Sequence, residues 1–179
     1  MYGRVVLEGL ASSGLDYYVW SLGRGGSCVV DDSVFNVFVD GGDFGSYARL
    51  FARILGSWFE HSDSVRFFRR GLWSVMPYVS LSYQVGYLSH EEYISLRRLW
   101  ASIALCAPRP DLLVFFEGQH PSNVLGYNWT VDLRDHLESW LLFCEEMNIH
   151  VLRVSNYHAD GVDKVEWFKK VDNAIMRRL

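Results

Sequence analysis

Lysine is nearly absent from this chain. Lys164, Lys169 and Lys170 are the only ones, all near the C-terminus, against fourteen arginines. Chemistry that relies on a lysine ammonium therefore has no candidate in the body of the sequence. Basic clusters are missing too: Arg69-Arg70, Arg97-Arg98 and Arg177-Arg178 are isolated pairs in a chain of net charge −4. A protein that tracks nucleic acid needs a longer basic stripe, so that function is disfavoured. Cysteine is scarce and scattered, with Cys28, Cys106 and Cys144 far apart and no Cys-x-x-Cys pair. That pattern disfavours a disulfide frame and a zinc site; no metal ligand set is expected, and the thiols are read as buried and reduced. No uninterrupted apolar run approaches the roughly 18 residues of a membrane span. Strand-like sequence begins at Val5, so a signal peptide is not expected and the reading is intracellular. Internal repeats and low-complexity tracts are lacking as well.

What is present is a core. Half of the 179 residues are apolar and 16% are aromatic. That length and composition suit one globular domain over residues 1–179. Strand-like and helix-like segments alternate along it. Strands are expected at Val5 to Glu8, Phe35 to Val39, Val65 to Phe68, Leu112 to Phe116 and Val151 to Val154. Helices are expected from about Asp16 to Leu22, Ser46 to Glu60, Leu72 to Val85 with a kink or break at Pro77, Ser89 to Cys106, Asp132 to Met147 and Val162 to Arg178. Ser89-His90-Glu91-Glu92 has the form of a capping box at the head of the fourth helix. Continuous apolar strands alternating with helices predict an α/β fold: a three-layer α/β/α arrangement around a five-stranded, mainly parallel sheet. Ligands of such sheets sit outside the carboxyl ends of the strands. The loops after Glu8, Val39, Phe68 and Phe116 are where chemistry would lie.

The first of those loops has a recognisable frame. Gly9-Leu10-Ala11-Ser12-Ser13-Gly14-Leu15-Asp16 places two glycines at the spacing of a phosphate-binding loop, G-x-x-x-x-G-K-[ST]. In that loop backbone N–H groups cradle phosphates, Lys reaches the β/γ-phosphates and a hydroxyl holds Mg²⁺. Here Gly9, Ser12, Ser13 and Gly14 form the frame. Leu15 stands in the place of the Lys and Asp16 in the place of the hydroxyl.

The order of elements resembles the deoxynucleoside kinase family and its thymidylate kinase relatives, within the P-loop kinases. Four stretches carry the resemblance: Val5-Val6-Leu7-Glu8-Gly9 with its glycine frame; Pro108-Arg109-Pro110-Asp111-Leu112-Leu113-Val114-Phe115-Phe116, similar to a "PRPDLLIYL" strand entry; Leu133 with Glu138-Ser139-Trp140-Leu141-Leu142, similar to a late helix; and Phe68-Arg69-Arg70-Gly71, placed where the family carries a strand-end E/D-R-S motif. The resemblance implies a P-loop nucleoside or nucleotide kinase-like fold. It also implies that Arg70 is the motif's substrate-positioning Arg and that Asp40 or Asp43 lies near the place of the catalytic carboxylate. Departures accompany these matches. Arg69 takes the acidic place and Gly71 the Ser place. The lid region, about 117–130, carries no Lys or Arg, and His120 is its only titratable base. Phosphoryl transfer rests almost wholly on positioning and charge neutralisation, which these positions do not supply.

Three functional readings stay open. The first is a catalytically degenerate kinase-like scaffold, exapted for a structural, regulatory or protein-binding role, with a protein partner or homodimer and no cofactor; viral genomes commonly repurpose enzymes in this way. The second is a divergent but active deoxynucleoside or nucleotide kinase, using ATP and Mg²⁺, with Asp16 on the metal, Arg24 or Arg70 replacing the Lys, and Asp40 and Arg70 as catalytic residues. The third is a module that binds a nucleoside without transferring phosphate. Membrane and nucleic-acid partners are not expected. Structural roles are the default for His136, for the tyrosines 78, 83, 87 and 93, and for the Gly23-Arg24-Gly25-Gly26 connector.

Overall fold

The computed structural model describes residues 3–10, 13–25, 27–31, 37–38, 40–60, 64–118, 129–155 and 163–179. In chain order the elements are β1 (Gly3–Gly9), α1 (Leu15–Arg24), β2 (Cys28–Asp31), α2 (Phe44–Phe59), β3 (Val65–Arg69), a 3₁₀ turn (Leu72–Ser74), α3 (Val75–Gln84), α4 (His90–Cys106), β4 (Leu112–Phe116), α5 (Trp129–Glu146), β5 (Val151–Val154) and α6 (Lys164–Met176). The five strands form one sheet in the order β2-β3-β1-β4-β5. Every neighbouring pair is parallel, with Val5 opposite both Phe67 of β3 and Leu112 of β4.

The strand pleat explains the layers. Val6, Phe68, Leu113 and Phe115 point to one face and pack with side chains from α2 to α5, among them Trp58, Tyr78, Trp100 and Leu141. Val5, Leu7, Phe67, Val114 and Phe116 point to the other, against Leu15, Tyr18 and Leu22 of α1 and Trp167, Val171 and Ile175 of α6. With both faces covered, the central strands have no need of polar alternation, and β4 is buried along its whole length. This is the expected three-layer α/β/α fold.

Local signals set several boundaries. Asp43 caps α2, its carboxylate accepting from Ser46 N at 2.6 Å. The capping box of α4 is formed as expected: Ser89 Oγ accepts from Glu92 N, and the Glu92 carboxylate accepts from Ser89 N. Four expectations need correction. The second strand is Cys28–Asp31; Val37 and Phe38 are helical, and residues 35, 36 and 39 of the expected strand lie outside the described residues. Pro77 neither kinks nor breaks a helix. It sits in the first turn of α3, where its missing N–H has no intrahelical acceptor to lose. The expected helix start at Leu72 is a 3₁₀ turn leading into α3. Among the thiols Cys144 is buried as expected, and burial pushes it up to about 12, whereas Cys106 is exposed.

The β5 edge of the sheet is tied off by side chains. Leu113 N and Glu117 N donate to the carbonyls of His150 and Val154, so the even-numbered residues of β5 face β4 and Val151, Arg153 and Ser155 face outward. Arg178 Nη1 donates to Val151 O at 3.4 Å and Trp167 Nε1 to Ser155 O at 3.1 Å. Among the described residues no helix is long and apolar enough to cross a membrane.

Candidate functional site

The carboxyl ends of β1, β3 and β4 bring together Glu8 and Gly9, Arg69 and Arg70, and Glu117 and Gly118. The loop from β1 to α1 begins at Gly9, where close approach forbids a side chain. A Cβ there would lie 2.8 Å from the Cβ and carbonyl O of Phe116 and 2.7 Å from Ser13 Oγ. Ser13 turns inward, its hydroxyl accepting from Leu15 N at 3.4 Å. Gly14 stands at the N-cap of α1 with φ +88°, a conformation that suits a residue without Cβ. Both glycines of the motif are thus used as backbone devices. Ser12 lies outside the described residues.

The two residues that follow do not face alike. Leu15 is 1% exposed and packs in the core between α1 and the sheet. Asp16, with 64% of its side chain exposed, makes an ion pair with Arg69, the last residue of β3. The register explains the meeting. Leu7 of β1 stands opposite Arg69, so the end of β3 lies beside the root of the loop. Arg69 follows the inward Phe68 and therefore points to the α1 side of the sheet.

On the other side of the sheet lies a buried polar knot. Glu8, with no exposed surface, accepts three hydrogen bonds at Oε1: from Gly9 N at 2.8 Å, Tyr78 O–H at 3.0 Å and Arg70 Nε at 3.3 Å. Arg70 Nη2 also donates to Gly9 O at 3.3 Å, tying the loop backbone to the end of β3. Burial pushes Glu8 above the usual carboxylate range, and Arg70, Gly9 N, Tyr78 and Ser74 pull in the other direction without cancelling it. Its Oε2 accepts no hydrogen bond among the described residues, although the Ser74 hydroxyl lies near enough to favour the ionised form. Burial also raises Tyr78, and the adjacent Glu8 carboxylate adds to this, so the phenol stays protonated and donates. Desolvation works against the charge of Arg70, but Tyr78, Glu8 and Asp16 outweigh it and the guanidinium remains charged.

Arg70 holds this position at a cost in backbone strain. Its φ is 53°, in the left-handed region, which disfavours a residue with Cβ by roughly 1–2 kcal/mol. Its N–H donates to Leu7 O at 3.0 Å, continuing the β3–β1 pairing for one more residue. The turn aims the side chain back under the loop.

The other expected residues lie apart from this knot. Asp40 is exposed in the turn before Gly41. The Asp43 cap hydrogen bonds hold its carboxyl below the usual carboxylate range, the Ser46 backbone N–H foremost. His136 bonds Gln84 Oε1 at 2.8 Å, and burial lowers its pKa. His120 and the 119–128 part of the expected lid lie outside the described residues. Arg134 Nη2 reaches Gly118 O at 3.1 Å, just beyond the end of β4. Phe38 lies against Tyr78 and the half-exposed Tyr87, with ring centroids 6.5 and 6.1 Å away. Two hollows, about 490 Å³ beside β5 and α6 and about 510 Å³ between α1 and α6, involve neither Glu8 nor either arginine. Among the described residues no group of three His, Cys, Asp or Glu could hold a metal ion.

Sequence reading missed Glu8 and Tyr78 as members of one cluster. The available signal was a single carboxylate ending an otherwise apolar, doubly covered strand.

No family model matches the chain, and no curated protein matches it in sequence. Solved structures do. A NadR protein in complex with NR superposes over 99% of this chain with TM-score 0.70 and 18% identity; this chain spans about half, 51%, of that one. A deoxyadenosine kinase from M. mycoides with bound dATP gives TM-score 0.70 at 10% identity, covering 97% of this chain and 99% of the other. Thymidylate kinase from Candida albicans gives 0.66 at 11% identity, covering 98% and 91%. The chain therefore has the P-loop nucleoside and nucleotide kinase-like fold.

Proposed function

We propose that this protein is a catalytically degenerate member of the deoxynucleoside-kinase-like group, a scaffold exapted for a structural, regulatory or protein-binding role. One observation carries the reading: the residue in the lysine position, Leu15, is a core residue with 1% of its surface exposed. A second supports it, because Asp16 brings a carboxylate to the place of the metal-holding hydroxyl and pairs with Arg69. Leu15 offers phosphate no charge, and the Asp16 carboxylate, in itself a hard oxygen ligand, is committed to Arg69. Two unit charges about 4 Å apart interact by roughly 4 kcal/mol at an effective dielectric near 20. Replacing an attraction of that order by a leucine, with a carboxylate next to it, removes the loop's hold on phosphate. Arg70 does not replace the lysine, since its guanidinium is turned inward onto Glu8 and the Gly9 carbonyl. The working surface is then a protein partner or a second copy of the chain, and no cofactor is needed.

The second reading is a nucleoside-binding module, favoured by the Phe38, Tyr78 and Tyr87 rings next to the end of β1. A thermal-unfolding panel with Mg²⁺–ATP and the four deoxynucleosides separates the readings. A ligand at about 100 times its Kd stabilises by roughly 2.7 kcal/mol, a shift of about 5–10 °C for a chain of this size. No shift with any of them is the expected result. A shift with ATP overturns the degenerate reading, and a shift with a deoxynucleoside alone selects the binding module.

A further inference from the structure

We infer that the hollow between α1 and α6 binds a small organic amine, its ammonium on Asp172 and its apolar body against the sheet. The hollow measures about 510 Å³, within the range of small-molecule sites. It reaches the amino end of β3, where Val65 begins the strand, and so lies at the opposite end of the sheet from the glycine loop. The inference therefore stands apart from the reading of that loop.

The walls set the chemistry of the ligand. Leu22 from α1, Val65 and Phe67 from β3, and Ile175 and Met176 from α6 supply apolar surface. Ser27 and Ser64 add hydroxyls, and among the described residues no Lys, Arg or His lines the hollow. Asp172 is the one carboxylate there. An anionic ligand would meet a like charge, and a neutral one would gain nothing from it. The hollow beside β5 makes no such choice, since Asp163 and Glu166 line it together with Arg153 and Lys170.

Asp172 is also oriented. The Tyr18 hydroxyl donates to its Oδ1 at 2.6 Å, reaching across from α1 to α6. Burial raises the Tyr18 pKa and the bond to Asp172 adds to this, so the phenol stays a donor. One hydrogen bond uses only part of a carboxylate's acceptor capacity, about four lone-pair sites. Asp172 itself is exposed, as is Lys169 one turn earlier, which lies outside the hollow. An ammonium seated on Asp172 keeps part of its hydration, which limits the desolvation that a buried ion pair would cost. The body of the amine then gains by covering apolar wall, and the flexible, half-exposed Met176 adapts to its shape.

The test is an NMR titration of the full chain that follows the methyl signals of Ile175 and Met176. Three probes share one body: phenethylamine, phenethyl alcohol and phenylpropionate, which are cationic, neutral and anionic at neutral pH. Phenethylamine is expected to move both signals saturably and to bind at least roughly fivefold more tightly than the alcohol. Phenylpropionate should bind most weakly, and the advantage of the amine should shrink as salt is raised. In Asp172→Asn that advantage should disappear while the affinity for the alcohol stays; a substitution at this exposed position keeps the fold. Equal affinity of wild type for amine and alcohol overturns the inference, and so does an advantage that survives Asp172→Asn. Absent or unsaturable shifts at Ile175 and Met176 overturn it as well, because the amine would then bind elsewhere or nowhere.

Discussion

Replacing Leu15 by Lys restores the residue that a phosphate-binding loop requires, and the surroundings of Leu15 predict that the change is destructive. The side chain is 1% exposed and packs with Val5, Leu7, Tyr18 and Phe116, none of which offers a counter-ion. A lysine there keeps its apolar stem in place, so little packing is lost. The ammonium must lose its proton instead. Holding a group of reference pKa about 10.4 neutral near pH 7 costs about 1.4 kcal/mol for each of some three units, roughly 4–5 kcal/mol in all. That is a large share of the ~5–15 kcal/mol that holds a typical domain together. The sign with pH follows. The folded variant binds fewer protons than its unfolded chain, so its stability rises with pH by about 1.4 kcal/mol per unit until the unfolded lysine also titrates. Urea unfolding of wild type and variant at a series of pH values from about 7 to 9.5 measures both quantities. A loss below about 1 kcal/mol with no slope would refute the reasoning. It would mean that the ammonium at position 15 reaches the loop mouth, where a phosphate could meet it.

Further expectations follow from the knot and the loop. Tyr78→Phe removes the 3.0 Å donor to a fully buried Glu8 and should cost about 1–3 kcal/mol in denaturant unfolding, while a change near zero would show that Oε1 is satisfied without it. Gly9→Ala sets a Cβ against Phe116 backbone at 2.8 Å and should cost about 1–3 kcal/mol, with no loss meaning that the loop and β4 can separate freely. Glu8 has a folded-state pKa raised by burial, so between its unfolded and folded values the folded protein binds the extra proton and stability falls as pH rises. The stability advantage of wild type over Glu8→Gln, followed by melting temperature, should therefore be largest in acid and shrink toward neutrality; growth with pH would show that Arg70 dominates the carboxyl. Asp43 and Glu92, held low by the backbone N–H groups they cap, stabilise above their unfolded values. Changing both to Ala should flatten the loss of melting temperature as pH drops through the acid range.

The scaffold was legible where burial leaves no choice of residue. Val5-Val6-Leu7 and Leu112 to Phe116 read as doubly covered strands because nothing polar interrupts them, and Ser89 with Glu92 marked the head of α4 through capping chemistry. The second strand was misplaced for a physical reason. Phe35 to Val39 and Cys28 to Asp31 are both short apolar runs, and an edge strand of four residues carries no periodicity that separates it from a buried turn of helix. Phe38 is apolar because it packs against Tyr78 and Tyr87. The site was legible only in part. The glycine frame and its two replaced residues stand next to one another in sequence, so their departure could be read directly. Glu8, Arg70 and Tyr78 are separated by 62 and 70 residues and meet only because β1 and β3 are parallel neighbours under α3. No spacing rule encodes that meeting. The pairing of Asp16 with Arg69, 53 residues apart, is hidden in the same way.

A row of unpaired amides and carbonyls at the rim of a sheet is an invitation to any extended chain, and the risk is polymerisation through the backbone. At the β5 rim both outer carbonyls flanking Arg153 are already engaged, that of Val151 by the Arg178 guanidinium and that of Ser155, just past the strand, by the Trp167 indole. A visiting strand would have to displace a donor at each end and would find Arg153 as the single position between them. Growth of this sheet by recruitment is thereby discouraged at that rim. Self-assembly would be channelled toward helical surfaces, where side chains rather than main chain decide which partner fits.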